Sequence, residues 1–175
     1  MTVLILYESV EGHTAKVVEA VSDAVRGHGH DVQVVDLGGG GTISYDGVSH
    51  VILAASVHQR RHPRKFEASV AAQAEALERM PTLMLSVSLS AAFPEGHEEA
   101  QDYLDEMKMR TGLMPDAEAL VAGAVQVAKY DYFAMQVVRF VVLKGRDVDM
   151  SAPSHEFTDW DALRDTVAAF LGNES

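Results

Sequence analysis

The chain has 175 residues, of which 47% are hydrophobic and 23% charged, and this predicts one soluble globular domain spanning residues 1–175. A formal net charge of −12 argues against a general nucleic-acid binder, because the phosphate backbone would be repelled. The chain contains no cysteine, which excludes disulfides, thiolate catalysis and cysteine-ligated metals and predicts a cytoplasmic protein.

The first fourteen residues predict a strand, a polar loop and the start of a helix. Val3–Tyr7 is a short apolar run typical of a strand buried on both faces of a parallel sheet, and it is too short for a signal peptide. The polar loop Glu8–Thr14 follows, and apolar residues then recur at helical spacing until Gly27. The hydroxyls of Ser9 and Thr14, together with the free N–H groups of the helix N-terminus, predict a cradle for a terminal phosphate. The alternative is an N-capped helix without a ligand.

The rest of the chain alternates between apolar strands and helices. Further strands are predicted at Asp31–Asp36, Ser49–Ser56, Thr82–Ser88 and Leu120–Val127. Further helices are predicted at Arg64–Arg79, Glu98–Arg110 and Trp160–Leu171, the last of them capped by Thr158 or Asp159. Five strands that alternate with helices in a chain of this length predict an open parallel sheet with helices on both faces.

The strand order of such a sheet determines where a ligand binds. Ligands lie beyond the carboxyl ends of the strands, at the point where the strand order reverses. With the order 2-1-3-4-5, that crevice is lined by the loops after strands one, three and four. In this chain the three loops are Glu8–Thr14, Val57–Pro63 and Leu89–His97.

One further segment, Tyr130–Lys144, is predicted to form an extra helix before the last one. Only Gln136 and Arg139 interrupt its apolar body, and Lys129 and Arg146 flank it. A helix that is apolar nearly all round is either buried or in contact with lipid. Two interpretations follow: a core or dimer-forming helix of a homo-oligomer, and a surface helix whose basic rim meets the membrane.

Two motifs carry a resemblance to a known family. Ser9–Thr14 resembles the phosphate loop [ST]-x-[ST]-G-x-T of flavodoxins, with Glu11 where flavodoxins usually carry a hydroxyl. The tail, Gly145–Ser151 followed by Glu156–Trp160, resembles the G-x-D-T-D…[FY]-T-D-W end of flavodoxin-type protoporphyrinogen oxidases, which are menaquinone-dependent. The similarity covers nearly the whole chain, including Ala122–Ala124 and the apolar insert.

The resemblance implies a fold, a cofactor and an activity. The fold is a flavodoxin-like, doubly wound α/β sheet of five parallel strands in the order 2-1-3-4-5, and the cofactor is non-covalently bound FMN. The activity is oxidation of protoporphyrinogen IX to protoporphyrin IX in haem biosynthesis, with a quinone as acceptor, in the cytoplasm or at the inner face of the cell membrane. Val148 and Met150 depart from the threonines of the family's tail. The alternatives are a flavodoxin-like electron carrier and an NAD(P)H-dependent quinone or small-molecule reductase.

The three crevice loops supply the predicted site residues. The predicted FMN contacts are Ser9, Val10, Glu11, Gly12, His13, Thr14, Ser56, Val57, His58, Ser88, Leu89, Ser90 and Phe93. No catalytic side chain is assigned, because the flavin carries the redox chemistry. Arg60, Arg61 and Arg64 form a dense basic cluster that is predicted to attract the propionates of a porphyrinogen, and the alternative is a solvated basic turn. No metal site is predicted, since His58 and His62 have no third ligand near them in sequence.

Overall fold

A computed structural model describes residues 1–125 and 155–172 of the chain. The strands in these ranges are β1 (Thr2–Glu8), β2 (Asp31–Asp36), β3 (Val48–Ser56), β4 (Thr82–Ser88), β5 (Ala117–Ala122), β6 (Ala124–Val125) and β7 (His155–Glu156). The α-helices are α1 (His13–Gly27), α2 (Arg64–Glu78), α3 (His97–Thr111) and α4 (Trp160–Gly172), and short 3-10 helices span Ser90–Ala92 and Pro94–Gly96.

Strands β1 to β5 form one parallel sheet in the order β2-β1-β3-β4-β5, which confirms the predicted order. The chain moves outward from β1 to the edge strand β2 and then returns to the other side of β1 to form β3. The strand order therefore reverses between β1 and β3, and the loops after β1, β3 and β4 lie side by side at the carboxyl edge of the sheet.

Helices cover both faces of the sheet. Successive residues of a strand point to opposite faces, so Val3 and Ile5 of β1 belong to the core formed with α1 and α4. Leu4 and Leu6 belong to the second core, formed with α2 and α3. Because both faces are packed, β1, β3 and β4 are mainly apolar in sequence and do not alternate with polar residues.

The fifth strand differs from its predicted range, Leu120–Val127. It begins three residues earlier, at Ala117, because Asp116 exchanges hydrogen bonds with Thr82 and brings the chain into register beside β4. It ends at Ala122, since the N–H of Gly123 donates to the carbonyl of Ser88 at 2.9 Å. The chain then leaves the main sheet, and Ala124 pairs with Glu156 in a separate antiparallel ribbon of β6 and β7.

Two sequence predictions concern the part of the chain outside the described ranges. The apolar helix predicted at Tyr130–Lys144 lies there, and so does the tail segment Gly145–Ser151. In residues 1–125 and 155–172, no helix is long and apolar enough to cross a membrane. The division of the chain into a single domain stays a prediction.

Candidate cofactor site

A cleft opens at the carboxyl edge of the sheet, where the three predicted loops meet. The cleft is open to solvent, and its empty volume, with the solvent at its mouth included, is about 450 Å³. The lining residues are Val10, Glu11, His13, Thr14, Ser56, Val57, His58, Val87, Ser88, Leu89, Gly123 and Ala124. Val87, Gly123 and Ala124 are absent from the predicted set. For Gly123 the sequence held a signal, because a glycine inside a strand often marks a close approach of two backbones.

The loop after β1 ends in an α1 N-terminus that no side chain caps. Gly12 occupies the N-cap position with a φ of +92°, a left-handed conformation that glycine adopts without strain. The Oγ atom of Ser9 accepts a hydrogen bond from the Gly12 N–H at 3.0 Å, and this closes the loop on itself. The next backbone N–H groups, those of His13, Thr14 and Ala15, begin the helix and have no carbonyl in their own helix to bond, whereas the N–H of Lys16 donates to the carbonyl of Gly12. The loop thus offers N–H donors and the positive end of a helix dipole to an anion.

Two buried hydroxyls in the cleft have no hydrogen-bond partner among the described residues. Thr14 is 1% exposed, and its Oγ1 atom is unpaired. The Oγ atom of Ser56, at the end of β3, is in the same state. A buried polar group without a partner costs about 1–3 kcal/mol, so such groups call for an explanation. A bound anion above the α1 N-terminus would provide the acceptor that Thr14 lacks.

Glu11, the residue that departs from the flavodoxin loop motif, lies on the wall of the cleft. Its Oε1 atom is 3.7 Å from the Nδ1 atom of His58, in the loop after β3. The carboxylate is therefore directed toward the loop after β3.

The loop after β3 forms a tight hairpin, His58–Arg61, called the 58–61 hairpin below. His58 and Arg61 exchange backbone hydrogen bonds of 2.8 and 3.2 Å. The two residues between them, Gln59 and Arg60, both have positive φ, at 49° and 66°. Two-residue turns of this kind normally carry Asn-Gly, because other L-residues are strained in the left-handed region. Local strain in a loop that edges a cleft is typical of functional sites.

The hairpin is held in place by a buried carboxylate. Glu67 of α2 is 5% exposed, and one of its oxygens, Oε2, accepts hydrogen bonds from Arg61 Nε and Nη2 at 3.0 and 2.7 Å. The other oxygen, Oε1, accepts from Arg110 of α3, with the Nε contact at 3.1 Å. Burial alone would raise the pKa of Glu67, but the hydrogen bonds from Arg110 and Arg61 lower it below its usual value. The guanidinium of Arg61 is thus bound by the carboxylate of Glu67.

The other two predicted arginines are more exposed than Arg61. The Arg60 side chain is 77% exposed, with Nη1 3.4 Å from a Glu99 oxygen and the guanidinium 5.6 Å from the centre of the Tyr103 ring. Burial and the hydrogen bond to Glu99 raise the pKa of Tyr103 to about 12. Arg64 is exposed at the start of α2 and forms no ion pair with any residue of the described ranges. The structure therefore separates one structural arginine from two accessible ones.

His62 is buried beneath this loop, away from the exposed His58. Its Nε2 atom lies 2.9 Å from the Ser86 hydroxyl of β4, and its ring contacts Phe66. Burial lowers the pKa of His62 to about 4, so the ring is neutral at physiological pH. A role in packing β3's loop onto β4 fits this placement.

Four of the predicted FMN contacts are not part of the cleft lining. Ser9 and Gly12 bond to each other within the first loop. Ser90 lies with its Oγ atom 3.5 Å from a Glu99 oxygen. The Phe93 ring packs edge-on against Phe157, with the ring centres 5.4 Å apart.

Known proteins that are similar to this chain also point to a flavodoxin-like domain. A family model described as "Flavodoxin domain" matches residues 4–150 of the chain. The chain is 23% identical to Protoporphyrinogen IX dehydrogenase (quinone) of Escherichia coli strain K12, over 93% of this chain and 91% of that protein. It is 24% identical to the protein of the same name from Leishmania major, over 95% of this chain and 73% of that protein.

Solved structures with a similar backbone include flavodoxins. Flavodoxin 1 of Bacillus cereus superposes with a TM-score of 0.55 at 15% identity, and the match covers 100% of both chains. A short-chain flavodoxin associated with a bacterial microcompartment gives a TM-score of 0.60 at 12% identity, over 100% of this chain and 99% of that one. At such identities, these structures support the fold.

Proposed function

The chain belongs to the flavodoxin domain family, and from this premise we propose that it is an FMN-dependent oxidoreductase that converts protoporphyrinogen IX to protoporphyrin IX. A quinone is the proposed electron acceptor. The cofactor half of the proposal rests chiefly on Thr14, whose buried hydroxyl has no partner among the described residues and lines the cleft at the uncapped start of α1. The substrate half is supported by the names of the two relatives, which match more than nine-tenths of this chain.

The residues of the first loop fit the phosphate of FMN. The backbone N–H groups at the start of α1 and the hydroxyl of Thr14 would hold it, and Ser9 keeps the loop closed around Gly12. The loops after β3 and β4, through residues such as Val57, His58 and Leu89, would flank the ring system. When bound, the flavin supplies two-electron redox chemistry, and the conversion of protoporphyrinogen IX to protoporphyrin IX takes three such steps.

The side chains around the cleft would guide and hold the substrate. A porphyrinogen carries propionate groups, and a chain with a net charge of −12 repels anions unless cations stand near the entrance. Arg60 is exposed in the loop that edges the cleft, and Arg64 is exposed at the start of α2 directly after it, so these two are the proposed contacts for those carboxylates. Arg61 serves instead to fix the hairpin through Glu67.

Flavin binding to a Thr14→Ala variant tests the cofactor half. Removing the hydroxyl should weaken FMN binding by about 1–2 kcal/mol, roughly a 5- to 30-fold rise in Kd, because one hydrogen bond to a charged oxygen is lost. Thr166→Ala is the matched control, since Thr166 also lies on a helix, donates to the carbonyl of Ala162 and is not among the residues that line the cleft. Equal FMN affinity in both variants, or a clear preference of the wild type for FAD or for no flavin, would overturn this half of the proposal.

A further inference from the structure

Three of the five residues in the segment Glu156–Trp160 contact the first turn of α1, and the other two contact Gly123, directly after β5, and α4. Glu156 forms an ion pair with Lys16, whose Nζ atom also lies 5.8 Å from the centre of the Trp160 ring. The N–H of Phe157 donates to the carbonyl of Gly123 at 3.0 Å, and Asp159 caps α4 by accepting from the N–H of Ala162 at 3.0 Å. The remaining residue, Thr158, contacts His13, the first residue of α1. This segment therefore connects the loop Glu8–Thr14, called the cofactor loop below, to the end of β5.

The hydroxyl of Thr158 lies between His13 and the backbone of β5. Its Oγ1 atom is 2.5 Å from the carbonyl oxygen of Ala122 and 2.7 Å from the Nε2 atom of His13. A carbonyl oxygen only accepts, so the single hydroxyl proton of Thr158 is donated to Ala122. The hydroxyl oxygen is then left as an acceptor, and Nε2 of His13 must be the donor.

This arrangement determines the protonation of the His13 ring. Burial lowers the pKa of His13 in spite of the opposing effect of Glu156, so the ring is neutral near pH 7 and carries one N–H. With that proton on Nε2, the Nδ1 atom is a hydrogen-bond acceptor and has no proton to offer an anion. The ring is further enclosed by Trp160, whose centre is 5.9 Å away.

We propose that Thr158 is a positioning residue for the cofactor loop, which fixes His13 as the Nε2–H tautomer and thereby holds the first turn of α1 in its anion-binding shape. Gly12, just before His13, has no side chain that could pack and hold the helix start, so an anchor on the His13 side chain sets the direction in which the first N–H groups point. In this arrangement the backbone N–H groups at the start of α1 and the Thr14 hydroxyl are the donors that would contact the phosphate. Only the flavin-binding consequence rests on the proposed function.

Histidine nitrogen resonances of the flavin-free protein test the proposal without reference to activity. In wild-type protein labelled with ¹⁵N-histidine, His13 should show a protonated Nε2 and an unprotonated Nδ1 at neutral pH. Thr158→Val keeps the shape of the side chain but removes the acceptor, so the ring should lose this single tautomer. Thr158→Ser restores a hydroxyl and should restore the wild-type pattern. Thr166→Val, which removes a hydroxyl on α4, is the matched control and should leave His13 unchanged.

Flavin affinity provides the second measurement. Thr158→Val should raise the Kd for FMN by roughly 3- to 10-fold, the equivalent of one lost hydrogen bond, while Thr158→Ser and Thr166→Val stay near the wild type. If Thr158→Val does not fold, His13→Phe takes its place, because its ring packs similarly and cannot donate to Thr158. The same rise in Kd is then expected.

The results that overturn the proposal differ from those that overturn the proposed function. A wild-type His13 with its proton on Nδ1, or a single Nε2–H tautomer that persists in Thr158→Val, shows that Thr158 does not fix the ring. Unchanged FMN affinity in Thr158→Val, or in His13→Phe where that variant is needed, shows that the tie does not shape the cofactor loop. If the wild type binds no FMN at all, the proposed function fails, and the tautomer measurement still decides the role of Thr158.

Discussion

Arg61 donates two hydrogen bonds to one carboxylate oxygen of Glu67, from Nε at 3.0 Å and from Nη2 at 2.7 Å. The second oxygen of Glu67 binds Arg110, so a single buried carboxylate joins the 58–61 hairpin to α2 and α3. A carboxylate 5% exposed and held by two guanidinium groups is a structural anchor. The buried carboxylate of Glu67 therefore fixes the position of the hairpin at the cleft.

Glu67→Gln should destabilise the protein by about 1–3 kcal/mol in urea unfolding. The amide removes the negative charge and one acceptor, while the two arginines, which are partly exposed, recover some hydration. Glu75→Gln is the control, because Glu75 of α2 forms an exposed ion pair with Arg79, the residue that follows the end of that helix. That change should cost less than about 0.5 kcal/mol. Equal costs for the two variants would show that Glu67 is not an anchor.

Gln59→Gly should stabilise the protein by about 0.5–1 kcal/mol, because Gln59 has a φ of 49° and glycine relieves that strain. The control is the same substitution at Gln73 inside α2, where glycine should cost about 1 kcal/mol. Thermal or urea unfolding of both variants gives the comparison. A loss of stability at Gln59 as large as that at Gln73 would contradict the strained turn.

The buried histidine His62 should make the protein less stable as the pH falls from 6.5 towards 4. Its pKa is about 4 in the folded protein and near 6.5 when unfolded, so the unfolded chain takes up a proton first. The stabilisation that the neutral ring contributes to the free energy of unfolding is fully present above pH 6.5, and about 3 kcal/mol of it is lost by pH 4. The charge of Glu67 raises the pKa of His62 and the charge of Arg110 lowers it, and the Ser86 hydroxyl forms a hydrogen bond with the ring. Urea unfolding of the wild type and of His62→Gln between pH 7 and 4.5 isolates the effect, and parallel curves would refute it.

Arg64→Gln should lower kcat/KM for protoporphyrinogen on the order of twofold to fivefold at low salt, with little change in FMN affinity. The reason is the loss of an exposed cation at the start of α2, directly after the loop that edges the cleft, in a chain of net charge −12. Added salt should remove most of the difference, because it screens exposed charges. Arg26→Gln is the charge-matched control, because Arg26 is exposed in the last turn of α1, at the end of that helix away from the cleft. If Arg26→Gln lowers kcat/KM as much as Arg64→Gln, net charge rather than location is responsible.

The sheet was largely predictable because its strands are buried on both faces. The ranges Asp31–Asp36 and Thr82–Ser88 are found as predicted, since each is bounded by polar residues or turns that end the apolar run. The limits of the fifth strand were wrong, because Gly123 bonds to the backbone of β4 and starts a separate ribbon. The hydrogen bond between Gly123 and Ser88 joins segments that are distant in sequence, so no periodic pattern of apolar residues predicts it. The apolar helix predicted at Tyr130–Lys144 stays a prediction.

The loops of the site were predictable once the resemblance to flavodoxins had supplied the strand order, but their side-chain partners were not. Arg60, Arg61 and Arg64 look alike in sequence, and only the fold shows that Arg61 is bound by Glu67. The same carboxylate binds Arg110, 43 residues away along the chain, so local pattern gives no hint of the network. Thr158 likewise meets His13 across 145 residues. Tertiary packing decides which polar residues are structural and which remain accessible.

Anaerobic mixing of the FMN-loaded protein with protoporphyrinogen IX tests the central claim most directly. The absorbance of oxidised flavin and the fluorescence of protoporphyrin are followed together, first without a quinone and then after one is added. The proposed activity predicts loss of flavin absorbance on mixing, followed by its return and further protoporphyrin formation when the quinone arrives. Flavin that stays oxidised with protoporphyrinogen but is reduced by NAD(P)H or by an electron-transfer partner would contradict it and indicate a reductase or an electron carrier.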